Sequence, residues 1–327
     1  MFDKGILKSR SFPVPTICIG NISVGGTGKT PHTEYLIRLL GKKFNIAVLS
    51  RGYGRKSKGY VLADSNTPMP IIGDEPFQIK NKFKDITVAV CEKRAVGIER
   101  IMSDAEKTDA ILLDDAYQHR YVKAGLNILL IDSTRPIWQD CILPFGRMRE
   151  SIDGIKRADV AIITKCNTIT AEQKEWCRNY IRERKDIPVF FSSMRYGELY
   201  PLFTEEKRDI LPGTEVMLIT GIARPMPLKQ EIEARGAKVA LMRYADHYNF
   251  TAGDFAEMER RYNSIESGDK IIVTTEKDAT RILQHPDVPQ AIKRNIHVLP
   301  IEVDILDGEE VFNKTILDYV TENSRNS

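Results

Sequence analysis

Gly20-Asn21-Ile22-Ser23-Val24-Gly25-Gly26-Thr27-Gly28-Lys29-Thr30 is the stretch on which the fold turns. It follows the apolar run Pro15-Thr16-Ile17-Cys18-Ile19, which reads as a buried strand. It precedes Thr30 to Leu40, where Leu36, Leu39 and Leu40 share one helical face. A glycine-rich loop between a strand and a helix is the setting of a phosphate-binding loop. Glycines let the backbone wrap a phosphate, successive N–H groups converge on its oxygens, and the helix N-terminus adds a favourable dipole. Ser23, Val24, Gly25, Gly26, Thr27 and Gly28 would form the cradle. Lys29 would reach the β- and γ-phosphates, and Thr30 would hold Mg²⁺. Ser23 stands where the pattern GxxxxGK[ST] has its first glycine.

Outward from this loop, short β-rich runs alternate with helical stretches. Ile46–Leu49, Ile86–Val90, Ala110–Leu113, Asn127–Ile131 and Val160–Ile163 are nearly continuous in apolar residues. Such runs mark strands covered on both faces, hence a parallel α/β sheet flanked by helices. Pro188–Ser192 adds another strand. After a polar stretch from Glu198 to Pro212, a second α/β block begins at Val216–Thr220. It continues with a helix near Pro227–Arg235, a strand at Lys238–Leu241, a helix after Thr251, and strands at Ile271–Thr274 and His297–Ile301. A helix from Glu309 to Val320 ends the chain. The expected architecture is a P-loop NTPase-type domain over residues 1–200 and a smaller α/β domain over 201–327.

Of 327 residues, 42% are hydrophobic and 28% charged, with 48 Lys+Arg against 45 Asp+Glu. That composition excludes global disorder. A net charge of +3, evenly spread, does not suggest a nucleic-acid coat. The five cysteines, Cys18, Cys91, Cys141, Cys166 and Cys177, contain no CxxC pair, which argues against a zinc ribbon or a disulfide framework. Free thiols point to a reducing compartment. The apolar runs fall far short of the roughly 20 residues that span a bilayer. Lys4, Lys8 and Arg10 precede no apolar signal-peptide core. A cytoplasmic protein, soluble or peripherally attached, is expected.

The phosphate loop needs an acidic companion at the end of an apolar strand. Ala110-Ile111-Leu112-Leu113-Asp114-Asp115 supplies it, and a carboxylate there can bind Mg²⁺ directly or through its water shell. Two classes of nucleotide enzyme then compete: a small-molecule or lipid kinase, and a P-loop switch. Partitioning ATPases carry a second lysine where Val24 stands. Guanine readers carry Asn-Lys-x-Asp where this chain has Thr164-Lys165-Cys166-Asn167. Cys/His clusters for metal delivery are absent. All three favour ATP and a transfer reaction. A kinase also needs a group to orient or deprotonate the acceptor hydroxyl. Gly73-Asp74-Glu75-Pro76, read as a turn, and Ala245-Asp246-His247-Tyr248-Asn249-Phe250 are the candidates. On composition alone, a solvated turn and a capping or packing histidine are the better readings, and neither candidate is promoted.

Taken together, the motifs say more. The chain resembles the tetraacyldisaccharide 4'-kinase (lipid A 4'-kinase) family over nearly its whole length. The likeness rests on Gly20–Pro31, Ser50-Arg51-Gly52-Tyr53-Gly54-Arg55, Gly73–Pro76, Asp114-Asp115-Ala116-Tyr117-Gln118-His119 and Leu143–Glu150. In the second half it rests on Thr220–Pro225, Asp246–Tyr248 and Thr275-Glu276-Lys277-Asp278. The resemblance implies transfer of the γ-phosphoryl of ATP to the 4'-hydroxyl of an acylated glucosamine disaccharide 1-phosphate. The work would occur at the cytoplasmic face of the inner membrane, with no obligate protein partner. It implies that Asp74 and His247 pair to activate the hydroxyl, that Thr30 and Asp115 hold Mg²⁺ with Asp114 in support, and that Lys29 stabilises phosphate charge. It places Arg149 and Glu150 in the active site, while Arg51, Tyr53 and Arg55 read either as lining its phosphate or sugar side or as a solvated loop. Family members carry a longer apolar N-terminal segment. Phe2, Ile6 and Leu7 beside Lys4, Lys8 and Arg10 read either as its remnant on anionic headgroups or as a frayed basic terminus.

Overall fold

The computed structural model describes residues 2, 6–105, 107–246 and 248–324. The chain first runs β1 (Thr16–Gly20), α1 (Lys29–Leu40), β2 (Ile46–Ser50), β3 (Val61–Ala63), α2 (Met69–Ile72), α3 (Asp74–Lys82), β4 (Thr87–Val90) and α4 (Arg94–Asp104). It continues with β5 (Ala110–Asp114), β6 (Leu126–Asp132), β7 (Val160–Thr164), α5 (Ala171–Arg182) and β8 (Val189–Tyr196). Short 3₁₀ turns at Ile137–Gln139 and Ile152–Arg157 lie within the β6–β7 connection. Then follow β9 (Tyr200–Pro201), β10 (Glu215–Thr220), α6 (Met226–Ala234), β11 (Lys238–Arg243), α7 (Ala252–Asn263), β12 (Lys270–Thr274), α8 (Glu276–Leu283), α9 (Gln290–Lys293) and β13 (Ile296–Val298). The last elements are β14 (Ile301–Ile305) and α10 (Glu309–Ser324).

Two compact units result: Met1–Arg195 with Val303–Ser327, and Tyr196–Glu302. The division differs from a single cut near residue 200, because the end of the chain returns to the first unit. The reason is local. His297–Ile301 reads as one strand in sequence, but it breaks at Leu299-Pro300 into β13 and β14, which join different sheets. Proline has no N–H to donate, so it does not continue a ladder. β14 lies beside β8, with Leu306 N–H donating to Phe191 O. In α10, Phe312, Ile316 and Val320 are buried, and the Phe312 ring packs on Tyr35 and Phe190. Tyr319 Oη bonds both backbone groups of Thr16.

Among the described residues, nine strands form the first sheet in the order β14-β8-β7-β6-β1-β5-β2-β4-β3. Pairings from β4 through β2, β5, β1, β6 and β7 to β8 are parallel, and β3 runs antiparallel to β4. Cys18, Leu49, Leu113, Ile131 and Ile163 join one core cluster, while the alternate residues Ile17, Val48, Leu112, Leu130 and Ile162 are buried as well. Both faces are therefore covered, which is what continuous apolar runs require. From β1 the chain steps out to β2 and β4, returns to β5 beside β1, and then crosses to β6 on the other side. The loop after β1 thus sits at the point where strand order reverses, the place where open α/β sheets bind ligands.

Among the described residues, the second unit holds a five-stranded sheet, β11-β10-β12-β13-β9, parallel except for β9. β10 alternates cleanly: Met217 and Ile219 enter one core cluster, Val216 and Leu218 the other. Thr251 caps α7 by accepting from Asp254 N–H, in a capping box.

Candidate active site

The glycine-rich loop leaves β1 at Gly20 and enters α1 at Lys29. Gly28 takes φ 90°, ψ 23°, a left-handed conformation at the helix N-cap that suits glycine. Gly25 and Gly26 are exposed, and a Cβ added to either meets nothing within 4 Å, so the crown of the loop faces open space. Its base is fixed. Asn21 Nδ2 donates to Thr27 Oγ1 at 2.7 Å, and Thr164 Oγ1 donates to Thr27 O at 3.0 Å. Val24 N–H donates to Arg147 O at 2.7 Å and Arg149 N–H to Ile22 O at 2.8 Å, so residues 147–149 run along the loop like a short strand. His32, one turn into α1, is buried. Its Nδ1 lies 2.7 Å from Gly28 O and its Nε2 3.0 Å from Ser192 Oγ. A carbonyl only accepts, so Nδ1 carries the proton and Nε2 accepts from the serine. Burial holds this imidazole neutral, with its pKa lowered to about 4.

β5 delivers the two carboxylates. Asp114 is 2% exposed, and Thr33 Oγ1 lies 3.4 Å from its Oδ1. Burial pushes its pKa up to about 7, and the neighbouring charges of Glu75 and Asp115 push the same way. Asp115 has φ 45°, unusual for a residue with a side chain. That turn aims its carboxylate toward the loop, with Lys29 Nζ 3.7 Å from Oδ1 and Arg149 Nη1 2.9 Å from the same oxygen. Arg94 is buried at the start of α4, where Nη1 donates to Cys91 O and Nη2 to Asp114 O. Among the described residues, no three His, Cys, Asp or Glu side chains are spaced to hold a metal by themselves. Asp114 and Asp115 supply carboxylate oxygens beside the loop, the donor type that Mg²⁺ takes in phosphoryl transfer together with waters and phosphate oxygens.

A second layer, which spacing in the sequence does not reveal, orients Arg149. Gln118 Oε1 accepts from Arg149 Nη1 at 3.1 Å, and Gln118 Nε2 donates to Asn21 O and to Glu150 Oε1. Glu150 also accepts from Arg157 Nη2 at 2.7 Å, and that guanidinium lies over the Tyr117 ring. Tyr117 Oη donates to Gly154 O. Arg149 therefore meets Asp115 directly, whereas Glu150 acts as the hub of a supporting network. The sequence signals for this layer are the motifs Asp114–His119 and Leu143–Glu150.

Gly73-Asp74-Glu75-Pro76 is not the turn that its composition suggests. Asp74 and Glu75 occupy the first turn of α3, where carboxylates complement the helix dipole, and Lys80 and Lys82 close the last turn. α3 is tied to α1 through buried Glu34, which accepts from Gln78 Nε2 at 2.8 Å and pairs with Lys82 Nζ at 2.5 Å. Asp74 is partly exposed. Gly73, at φ 90°, is crowded: an added Cβ would lie 2.8 Å from Tyr53 O. Arg55 turns inward. Its side chain is 3% exposed and pairs with Glu92 at 2.6 Å, so it braces the loop. Arg51 and Tyr53 remain exposed, Tyr53 at 82%.

In the second unit, buried Asp278 accepts from Gly221 N–H at 3.0 Å and from Thr275 Oγ1 at 2.7 Å. Thr220–Pro225 and Thr275–Asp278 thus support one another. Gly221 backs onto the segment that follows β11: a Cβ there would lie 2.7 Å from Ala245 O and 3.4 Å from Tyr248 Cβ. His247 itself lies outside the described residues. At the N-terminus, the Phe2 ring packs edge-on against Tyr121 and beneath Arg120, while Ile6 is exposed. Lys4 also lies outside the described residues.

Comparison with known proteins agrees with this geometry. The family model for tetraacyldisaccharide-1-P 4'-kinase matches residues 1–321. The chain belongs to that family. It is 47% identical over 335 residues to the tetraacyldisaccharide 4'-kinase of Phocaeicola vulgatus, covering 100% of this chain and 92% of that one. It is 48% identical over 339 residues to the tetraacyldisaccharide 4'-kinase of Bacteroides fragilis strain YCH46, covering 100% and 89%. A crystal structure of LpxK from Aquifex aeolicus in complex with ATP superposes with a TM-score of 0.75 at 28% identity, covering 98% of this chain and 92% of that one. Among the described residues, no helix is long and apolar enough to cross a membrane.

Proposed function

We infer that this member of the 4'-kinase family transfers the γ-phosphoryl group of ATP to the 4'-hydroxyl of tetraacyldisaccharide 1-phosphate, a step of lipid A biosynthesis. The observation that carries the reading is the convergence of Lys29 and Arg149 on Asp115 Oδ1 beside an open glycine cradle. The first-turn N–H groups of α1 have no intrahelical partners and are available to phosphate oxygens. Ser23 to Thr30 would bind the phosphates, with Lys29 moving from Asp115 to the β- and γ-oxygens. Thr30, Asp115 and Asp114 would hold Mg²⁺, which when bound neutralises charge on the transferred group. Arg149, already beside Asp115, is placed to stabilise negative charge there.

Asp74 and His247 would orient and deprotonate the 4'-hydroxyl. The support for Asp74 is its place on a helix bound to α1 through Glu34. The support for His247 is the paired Thr220 and Thr275 motifs that brace the residues on either side of it. Because the acyl chains of the acceptor stay in a bilayer, the enzyme would work peripherally, at the cytoplasmic face of the inner membrane. The test is transfer of γ-labelled phosphate from ATP and Mg²⁺ to detergent-dispersed tetraacyldisaccharide 1-phosphate, with Asp74→Ala alongside. Labelled lipid from the wild type, and at least about a hundredfold less from the variant, is expected. ATP hydrolysis without labelled lipid refutes the acceptor. Equal labelling by the variant removes Asp74.

A further inference from the structure

The connection between β6 and β7 carries a feature that phosphate chemistry does not use. Cys141-Ile142-Leu143-Pro144-Phe145-Gly146 is uncharged throughout, and its apolar side chains point into solvent: Phe145 is 93% exposed, Ile142 and Leu143 each 49%. An exposed cluster of this kind marks an interaction site. The segment is held in shape. Leu143 N–H donates to Met148 O, Met148 N–H to Cys141 O and Phe145 N–H to Ile142 O. Asp140 Oδ1 accepts from the N–H groups of Cys141 and Arg147, clamping the base. Gly146 approaches that base so closely that a Cβ would lie 2.3 Å from Cys141 O.

We propose that the Ile142–Phe145 tip inserts into the lipid surface that holds the acylated substrate. This deepens, and rests on, the lipid-kinase reading above. Three observations favour a bilayer over another occupant. First, the base of the tip is bonded to the phosphate loop itself, through Val24 to Arg147 and Ile22 to Arg149. A membrane contact here brings the phosphate cradle to the depth at which an anchored sugar headgroup lies. Second, exposed Arg135 and Arg147 flank the apolar tip within the same connection. An apolar wedge with basic shoulders matches acyl chains beneath anionic headgroups. Third, Ile142, Leu143 and Phe145 are presented together at one turn closed by the Phe145 N–H to Ile142 O bond, and a fluid apolar phase takes up such a tip without a shaped pocket.

The cysteines supply a reporter. Cys141 is exposed at the edge of the tip, and the other four are buried. Burial raises the thiols of Cys18 to about 12 and of Cys166 and Cys177 to about 11, which keeps them unreactive. The full chain is labelled at Cys141 with a polarity-sensitive fluorophore and mixed with phosphatidylcholine–phosphatidylglycerol vesicles that contain no substrate. A blue shift and co-sedimentation are expected, both weaker on pure phosphatidylcholine. Unlabelled Phe145→Ser and Leu143→Ser/Phe145→Ser should bind the anionic vesicles at least about tenfold more weakly, from the transfer free energy of the lost apolar groups. Their urea midpoints should not move, because the sites are exposed. With substrate in vesicles their KM should rise at constant kcat, and with substrate in detergent both constants should match the wild type. Equal vesicle binding by wild type and variants overturns the proposal. A blue shift that follows protein concentration without vesicles assigns the tip to self-association and also overturns it. Absence of transfer in detergent by the wild type would instead overturn the kinase reading and leave the vesicle measurement standing.

Discussion

Acidification from pH 7 to pH 5 is a direct probe of His32. In the folded protein the ring is buried between Gly28 O and Ser192 Oγ, with both nitrogens engaged and its pKa lowered from 6.5 to about 4. A folded pKa below the unfolded one means that the unfolded chain binds the proton first. Stability from this group is complete above about pH 6.5 and is lost as the pH falls toward 4. At pH 5 the unfolded histidine is almost wholly charged and the folded one almost wholly neutral. The difference costs about 2 kcal/mol relative to pH 7 and above. His119, also lowered to about 4, acts in the same direction. Asp114, raised to about 7, acts in the opposite one, since its protonated form is the one burial favours. The contribution of His32 is therefore read as a difference from His32→Asn, which keeps a donor toward Gly28 O but does not titrate. Both tryptophans, Trp138 and Trp176, lie in the first unit, so urea unfolding followed by tryptophan fluorescence reports that unit. The variant should be less stable at pH 7, and the gap should close by about 2 kcal/mol at pH 5. Parallel curves at the two pH values would refute the assignment of a neutral, trapped imidazole.

Other outcomes follow from the site. Lys29→Ala and Asp115→Ala should each lower phosphate transfer by at least about a thousandfold, measured by labelled lipid; near-normal turnover in either would sink the phosphate-site assignment. Gly28→Ala forces a Cβ to within 2.4 Å of Met194 Cε at φ 90°. It should cost about 1–2 kcal/mol in urea midpoint and weaken nucleotide affinity in calorimetry, and unchanged affinity would show that the loop adapts. His247→Ala should reduce kcat with little change in ATP binding, and an unchanged kcat would remove it from the proposed dyad.

How much of this was legible in the sequence depends on the range of the forces involved. The phosphate loop and β5 were readable because covered strands need continuous apolar runs and phosphate cradles need glycine at fixed spacing. α3 was misread as a turn. Its nine residues are held by burial of Phe77 and Ile79 and by the ties of Gln78 and Lys82 to Glu34 on α1, distant in sequence. The acids Asp74 and Glu75 in its first turn and Lys80 and Lys82 in its last were a capping signal that could have found it. β13 and β14 merged in the reading because hydropathy continues across Leu299-Pro300, whereas the hydrogen-bond ladder does not. Arg149 and Glu150 were named through the family likeness, but their division of labour needed coordinates. Nothing in their sequence says that one meets Asp115 and the other Arg157. Arg55 reads in sequence as part of a basic cluster on the phosphate or sugar side or in a solvated loop, whereas its side chain is buried against Glu92.

The return of the chain from β13 to β14 has a consequence for how such an enzyme is assembled from parts. The second unit leaves the first after β8 and re-enters at β14, and these are neighbouring strands. It is an insertion whose two ends meet, so a gene could gain or lose it without disturbing the order of the other strands. Cutting after residue 195 would strip β14 and α10 from the first unit and leave β8 as a bare edge, a template for aggregation. Excising 196–302 and joining the ends with a short linker would keep that edge covered and should leave the nucleotide-binding half able to fold alone.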